Sequence, residues 1–347
     1  MDLFQSISQN KRRKNQYISL LLYLIKIKKQ MSNFLKSLFL GKTEETDIEK
    51  KNKEKNFDIF KYDGLRAQRI GNLDYAVKCF NEALKLEEEF ETMGYLASVL
   101  VQLNNLDEAR DMYAKMIEKE PSLPEPLINH AQICYLQGFY KITAEDCIEA
   151  IHLDENNAAT YLLLAKANWG LEEKPNAIAH LTKAIELKKD FYEAYLTRAE
   201  YLEKLNEFTC AMEDIEEVLM LSPNNEAALL LRGKMHEINQ EPDKAIEDYE
   251  KVIELNPFNE QTYLYLGQLF ISEKRLEEAI TDFDEAIELS PNFVKAYQER
   301  GRAKFLNGDK EGSLADMKKS LEIDPEEAKK LDGEFKNFSD LYSNRPL

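Results

Sequence analysis

The sequence predicts an all-α solenoid of about eight tandem helix–turn–helix repeats. Three observations support this fold class. A small residue recurs every 33 or 34 residues, which indicates stacked repeat units rather than one globular core. Glu, Lys, Leu and Ala dominate the chain, and these residues have high helix propensity. Only 12 Gly and 10 Pro occur in 347 residues, which is too few for the many turns of an all-β fold.

The period is defined by the small residue at position 20 of each unit, counting the first unit from Phe57. The first interval is 33 residues and the following six are 34 residues. The position-20 residues are Ala76, Ala109, Thr143, Ala177, Ala211, Ala245, Ala279 and Ser313. This register divides the array over residues 57–327 into units 57–89, 90–123, 124–157, 158–191, 192–225, 226–259, 260–293 and 294–327.

Two further positions indicate how the helices of a unit pack. Position 8 is always Gly or Ala, which lets two helix backbones approach closely. Position 24 is usually bulky and fills the space beside that contact. The position-8 residues are Gly64, Ala97, Ala131, Ala165, Ala199, Gly233, Gly267 and Gly301. The bulky position-24 residues are Phe80, Tyr113, Leu181, Ile215, Tyr249, Phe283 and Met317.

Proline at position 32 ends the second helix of most units, because it lacks the N–H and clashes with the preceding turn. These prolines are Pro121, Pro223, Pro257, Pro291 and Pro325. Asn224-Asn225, Asn259 and Asn292 follow closely, and we expect them to cap the next helix. Two antiparallel helices cannot bury their apolar faces alone, so we expect the units to stack.

These positions resemble the tetratricopeptide repeat family, which has an aromatic residue at position 4, Leu-Gly at 7–8, Ala at 20, an aromatic residue at 24 and Pro at 32. The clearest match is the unit that begins at Glu260, with Tyr263, Leu266-Gly267, Phe270, Ala279, Phe283, Ala286 and Pro291. The resemblance implies a right-handed superhelix. The third unit departs at Thr143, Cys147 and Glu155, and the fourth at Glu172–Pro175, so we expect less regular stacking there.

The two ends of the chain differ from the array. Residues 1–56 carry 13 Lys/Arg against 6 Asp/Glu, and we interpret them as a basic, flexible leader and linker, with Met31 as a possible second start. Their apolar run, 18–25, is far shorter than the about 20 residues that span a bilayer, and no small-residue cleavage site follows it. Membrane contact through residues 11–40 is an alternative that we do not favour. We expect residues 328–347 to form a capping helix and tail.

Charge and cysteine usage limit the function classes. The whole chain carries −18 and residues 1–56 carry +7, so the remaining residues carry −25. This acidic body repels phosphate backbones, which argues against a nucleic-acid ligand. The four cysteines are far apart without C-x-x-C spacing, which favours a reducing compartment. We therefore expect a cytoplasmic protein, with a peripheral membrane location as the alternative.

The family resemblance implies a concave wall lined by first-helix positions 2, 5, 6, 9, 12 and 13. Tyr and Trp are favoured anchors of protein interfaces, so we expect this wall to bind a protein or peptide partner and no small-molecule substrate. The candidate groove residues are Tyr62, Tyr95, Asn129, Gln132, Tyr135, Lys166, Trp169, Glu200, Lys234, Tyr265, Gln268 and Arg302. Position 9 alternates in charge between successive units. We favour a series of ion pairs between neighbouring units there over recognition of a zwitterionic ligand.

Some members of this family bind the C-terminal carboxylate of chaperones through a clamp of Lys and Asn residues. Lys61 fills the first clamp position, but Leu65 replaces the required Asn. Asn129 fits the middle position, yet Ala159 and Leu163 replace the basic pair that should follow. The resemblance therefore argues against a chaperone-tail receptor.

Chemistry-bearing groups are sparse. His130 and Cys134 share a helix face, and Cys147 follows in the second helix of the same unit, which is a conceivable zinc set. These are core positions where cysteine is ordinary, so we expect no metal and no cofactor. No phosphate-binding glycine loop and no catalytic grouping is visible. We predict a non-catalytic scaffold, with a membrane-tethered assembly factor as the alternative and a metal-dependent enzyme as a remote third.

Overall fold

The computed structural model describes Met31 and residues 47–326. Residues 47–326 contain 16 α-helices and no strand. The helices are α1 Asp47–Arg69, α2 Leu73–Leu86, α3 Phe90–Gln102, α4 Leu106–Lys119, α5 Pro124–Leu136, α6 Tyr140–Leu153, α7 Ala158–Gly170, α8 Lys174–Leu187, α9 Tyr192–Lys204, α10 Phe208–Leu221, α11 Glu226–Ile238, α12 Pro242–Leu255, α13 Glu260–Ser272, α14 Leu276–Leu289, α15 Val294–Leu306 and α16 Lys310–Ile323. Consecutive pairs follow the predicted register, so the all-helical repeat fold is confirmed.

The chain divides into two compact units, residues 1–112 and 113–347, and the break falls within α4. In the first unit α1 packs on α2 and α2 on α3. In the second unit every helix from α5 to α16 packs on the next. First helices of neighbouring repeats also touch in the pairs α5–α7, α9–α11 and α13–α15. The first helices therefore line one side of the stack within the second unit.

Helix α1 begins earlier than the register predicts. It starts at Asp47, so residues 47–56, which we expected to belong to the linker, form its first turns. Their Lys and Glu residues have high helix propensity and are exposed from residue 50 onward, which suits a solvated extension of a packed helix. The proposed membrane segment, 11–40, and the proposed capping helix and tail, 328–347, lie outside the described residues apart from Met31.

The turn between the two helices of a repeat is the same in all eight repeats. Its position-15 residue has a left-handed backbone, with φ between 59° and 89°. The next residue donates its N–H to the carbonyl five residues back, as Glu173 does to Asn168 at 2.8 Å. These position-15 residues are Gly71, Asn104, Gly138, Glu172, Asn206, Gln240, Lys274 and Gly308. The departure of Glu172 from the family pattern therefore leaves this turn unchanged.

The asparagine caps are confirmed at two of three predicted positions. Asn225 accepts a hydrogen bond from the N–H of Ala228 at 3.0 Å, and Asn259 accepts one from Thr262 at 3.1 Å. The prediction for Asn292 is wrong, because Phe293 is the N-cap residue of α15. The cap falls on the last position of a repeat, and Asn292 comes one residue too early.

Helix pairs are held together where position 8 meets position 24. A Cβ added to Gly64 would lie 2.6 Å from the ring of Phe80. A Cβ on Gly267 would lie 2.6 Å from the ring of Phe283. In the fourth and fifth repeats, where position 8 is alanine, the partners are the smaller Leu181 and Ile215, and all four side chains are fully buried. In these four repeats the two positions therefore share a limited volume, whereas the second repeat combines Ala97 with Tyr113.

We predict that Gly267→Ala destabilises the protein by about 1–3 kcal/mol, because the new methyl group overlaps the Phe283 ring in a packed core. Gly301→Ala is the matched control. Its Cβ would lie 3.3 Å from the Ser313 carbonyl oxygen and no closer to any other atom, so it should cost much less stability than Gly267→Ala. Urea unfolding measures both. The double variant Gly267→Ala/Phe283→Leu should be more stable than Gly267→Ala, and failure to recover stability would contradict the shared-volume account.

Candidate functional site

An aromatic cluster lies on the first-helix side of the second unit. The Trp169 ring stacks on the Tyr201 ring, with centroids 3.9 Å apart and planes 10° from parallel. The Nζ atoms of Lys174 and Lys204 lie 5.6 and 5.9 Å from the Trp169 centroid, within cation–π range. Tyr201 is buried whereas Trp169 is partly exposed. Trp169 therefore exposes an aromatic surface to solvent and stacks its other face on the buried Tyr201 ring.

Two more tyrosines extend this cluster. The Tyr135 and Tyr140 rings are 5.8 Å apart, and Tyr140 lies so close to Gly170 that a Cβ there would be 2.5 Å from the ring. Burial, with smaller contributions from Tyr135 and Tyr140, raises the pKa of Tyr201 above its usual range. We call Tyr135, Tyr140, Trp169 and Tyr201 the aromatic cluster. It brings together two of the predicted groove residues.

The expectation for position 9 is met only as electrostatic attraction, because Glu200 interacts with Lys166 and Lys234, the position-9 residues of the two neighbouring repeats. In the described part of the chain, none of these side chains forms an ion pair with the next member of the series. Lys234 instead lies over the Tyr265 ring, with Nζ 4.6 Å from its centroid. Gln268 donates to Glu299 at 3.1 Å, and Arg302 lies 3.4 Å from the same carboxylate.

Glu200 lies among three lysines of the wall. Desolvation raises the pKa of its carboxyl group above the ordinary value, and Lys204, Lys166 and Lys234 partly oppose this effect. Its surface still touches solvent. A side chain on a concave wall can be reached by water and yet be surrounded by protein atoms, which explains both observations. Around Glu200 the wall therefore carries separated charges of both signs rather than closed ion pairs.

The first unit holds the two remaining predicted tyrosines. Tyr62 is 59% exposed on α1. Tyr95 donates to Glu91 at 2.7 Å, and its ring centroid is 5.9 Å from that of Phe80. Lys61 is buried and bonded to Glu89 and Glu91, so the matching clamp residue is occupied by the protein's own carboxylates. In the second unit, Asn129 is partly buried and Gln132 is exposed.

Sequence reasoning missed a recurring ion pair between the two helices of a repeat. Arg198 binds Asp214 through two hydrogen bonds of 2.8 and 2.7 Å, and the aspartate is buried. The same bidentate pair recurs as Arg232–Asp248 and Arg300–Asp316. All three pairs join position 7 to position 23, 16 residues apart. Aligning these two positions across the repeats would have revealed them.

The seventh repeat keeps the acid but lacks the arginine. Leu266 is at position 7, and Asp282 is at position 23 with an Oδ2 atom that is buried without a hydrogen-bond partner. Desolvation raises the pKa of Asp282 to about 7, and Glu278, Glu250 and Glu285 add to the effect while Arg275 opposes it. This carboxyl group therefore costs folding energy whenever it is ionised.

We predict that Asp282→Asn stabilises the protein above about pH 8 by about 1–2 kcal/mol, because the amide carries no charge to bury. The pKa of Asp282 is higher in the folded than in the unfolded protein. Its contribution to folding stability is therefore most favourable below the unfolded pKa, and it is lost as the pH rises through the folded pKa of about 7. The difference in melting temperature between variant and wild type should therefore grow from about pH 4 to pH 8. Glu288→Gln, an exposed change on the same helix, is the control. An equal difference at both pH values would contradict this assignment.

The structure changes the candidate metal set. The Nδ1 atom of His130 lies 2.6 Å from Asp146 Oδ2 and 3.8 Å from Cys134 Sγ. One potential ligand atom from each of these three residues lies within 4.8 Å of the other two. Cys147 packs instead among the apolar residues of its repeat, and burial raises the pKa of its thiol to about 12. Asp146 therefore replaces Cys147 in the set inferred from spacing.

No helix among the described residues is long and apolar enough to cross a membrane. Four family profiles, each described as a tetratricopeptide or TPR repeat, match parts of the chain. The matched residues are 64–124, 158–191, 192–225, 227–259, 267–308 and 294–327. They cover most of the array that the register defines.

Curated relatives include proteins named photosystem I assembly protein Ycf3. The protein of this name from one strain of Prochlorococcus marinus is 33% identical over 90 residues, which are 25% of this chain and 52% of the relative. The one from Acaryochloris marina is 35% identical over 122 residues, 33% of this chain and 69% of the relative. The chain thus spans about half of the first relative's length.

Solved structures show the same fold. A tetratricopeptide repeat protein from Parabacteroides merdae matches 70% of this chain and 96% of its own, with a TM-score of 0.56 and 19% identity. The C-terminal part of a TPR repeat-containing protein from Cytophaga hutchinsonii matches 71% of this chain and all of its own, with a TM-score of 0.55 and 20% identity.

Proposed function

This chain belongs to the tetratricopeptide repeat family, and we propose that it is a non-catalytic scaffold that binds a segment of a partner protein on its first-helix wall. The observation that carries this proposal is the aromatic cluster of Tyr135, Tyr140, Trp169 and Tyr201. It offers the one tryptophan of the chain, partly exposed and backed by a buried ring. Such rigid aromatic anchors dominate the energy of protein interfaces.

Nearby lysines support the same assignment. Within residues 47–326, Lys166, Lys204 and Lys234 take part in no ion pair within about 4 Å, the usual limit for such a pair. Many lysines elsewhere in the described chain are paired with the protein's own acids, such as Lys61 with Glu89 and Lys251 with Glu254. The three wall lysines are therefore available to polar groups of a partner. A cytoplasmic location fits this role and stays part of the proposal.

We predict that affinity capture with residues 47–347 retains a partner that Tyr135→Ala/Trp169→Ala loses, because truncating an anchor costs about 2 kcal/mol or more of binding energy. Phe258→Ala is the matched control, since Phe258 is 76% exposed in a loop between repeats. A third bait, Tyr95→Ala, tests the first unit separately. Circular dichroism checks that each bait is folded. Identical sets of retained proteins for all baits would contradict a partner site at the aromatic cluster.

A second candidate function is an assembly factor that contacts a membrane surface. It is favoured by the similarity to proteins named for photosystem I assembly, and by the balance of +7 over residues 1–56. In this proposal residues 11–40 touch lipid, and the repeats recruit a client. The relatives share only part of their length with this chain, so their role comes here as a hypothesis.

We predict for this alternative that the full chain sediments with vesicles containing anionic lipid, and that deletion of residues 1–42 abolishes sedimentation. The reason is that basic residues near an anionic surface contribute about 1 kcal/mol each. Neutral vesicles are the control. A full chain that stays in the supernatant with both vesicle types would eliminate the membrane-tethered alternative and leave the scaffold proposal unaffected.

A further inference from the structure

Two repeats place two cationic or ionisable side chains around the buried aspartate at position 23. In the eighth repeat, Nε of Arg300 lies 2.9 Å from Asp316 Oδ2, and Nζ of Lys304 lies 2.9 Å from the same oxygen. In the sixth repeat Arg232 binds Asp248 in the same way, and the residue at position 11 is His236, whose Nε2 lies 3.8 Å from Asp248 Oδ2. Positions 7, 11 and 23 thus form a recurring polar triad in which an arginine supplies permanent positive charge.

The third repeat keeps the triad and lacks the permanent cation. Its positions 7, 11 and 23 are His130, Cys134 and Asp146. The imidazole Nδ1 lies 2.6 Å from the carboxylate and 3.8 Å from the thiol sulfur. Imidazole, thiolate and carboxylate are the three side-chain groups that bind zinc in proteins. In the third repeat, the position that holds an arginine in other repeats is thus occupied by a histidine and flanked by two more side chains that can bind a metal.

We propose that His130, Cys134 and Asp146 form a binding site for a divalent metal of the zinc class, which joins α5 to α6. The expectation of no metal rested on the spacing of His130, Cys134 and Cys147, and the buried Cys147 is not part of this site. The metal supplies the positive charge that Arg232 or Arg300 supplies to its own aspartate. Its role is structural, and it is independent of partner binding on the wall.

The three ligand atoms lie within 4.8 Å of one another, so some of their separations must change by about 1 Å when they bind one ion. Tetrahedral zinc with ordinary bond lengths separates its ligand atoms by about 3.4–3.6 Å. Nδ1 and Sγ are 3.8 Å apart already, and Nδ1 and Oδ2 must separate by about 0.8 Å from 2.6 Å. The hydrogen bond between His130 and Asp146 is then replaced by two metal–ligand bonds.

The remaining coordination position and the protons can also be assigned. Cys134 is fully buried, whereas the side chains of His130 and Asp146 are 13% and 15% exposed. Water can therefore reach the fourth position from their side. The Cys134 thiol releases its proton to solvent when its sulfur binds the metal as thiolate, and His130 binds through its neutral ring. Binding should therefore weaken as pH falls.

The test is zinc titration of the metal-free full-length protein, with a chromophoric chelator as competitor. The decisive variant is His130→Arg, because arginine at this position forms the ordinary clamp in three other repeats and the variant should fold. We expect one equivalent of zinc on the wild type, and no competing site in His130→Arg. Controls are His152→Ala and Cys210→Ser, which remove an exposed histidine and an exposed cysteine without touching the triad.

Two further readouts separate a built site from adventitious binding. Cobalt should give a thiolate charge-transfer band in the wild type that Cys134→Ser lacks. Zinc should raise the melting temperature of the wild type and not that of His130→Arg, because a ligand that binds only the folded state stabilises it. Binding that is absent at micromolar zinc, or equal in wild type and His130→Arg, would overturn the proposal. In that case His130 and Asp146 form only a hydrogen-bonded clamp between the two helices.

Discussion

The close contact between position 8 and position 24 is the constraint on which the rest of the structure depends. At Phe80 and Phe283 the ring leaves no room for a Cβ on the facing glycine, whereas the smaller Leu181 goes with Ala165 and the second repeat combines Ala97 with Tyr113. This contact sets the distance between the two helices of a repeat. A helix pair held at this distance still exposes an apolar side, so it must stack on its neighbours. The same left-handed turn at position 15 in every repeat keeps the register through the array.

A second layer of interactions varies from repeat to repeat around position 23. Bidentate Arg–Asp pairs tie the helices of the fifth, sixth and eighth repeats, and Arg198 and Arg300 also reach Thr182 and Asp284 of the preceding repeat. The third repeat has histidine at position 7 and the seventh has leucine. When the cation of a buried ion pair is removed, the remaining acid must be protonated or its charge must be balanced by another group. Asp282 illustrates the first outcome, and the triad around Asp146 illustrates the second as we propose it.

The different positions of the two helices of a repeat explain where partner binding is proposed. First helices touch one another in the pairs α5–α7, α9–α11 and α13–α15, so their outward side chains lie on one side of the stack within residues 113–326. The wall combines aromatic rings with lysines that no acid of the described chain holds in an ion pair. A partner can therefore displace water from these lysines without first breaking an ion pair, which keeps the free-energy cost of binding low.

The sequence by itself determined the repeat length, the helix pairs, the small residues at position 8 and the acidic character of the array. These features follow from the periodicity of the sequence and from the volumes of its residues, and both can be read directly from the sequence. The tertiary structure decided which side chains meet: it stacked Trp169 on Tyr201, turned Lys234 to Tyr265, and exchanged Cys147 for Asp146 beside His130. It also placed Asp47 at the start of the first helix, because Lys and Glu suit a linker and a helix equally until packing extends one of them. Register along the chain is a one-dimensional property. Rotamer choice and the contacts between repeats depend on neighbours that are distant in sequence, and only the folded stack defines them.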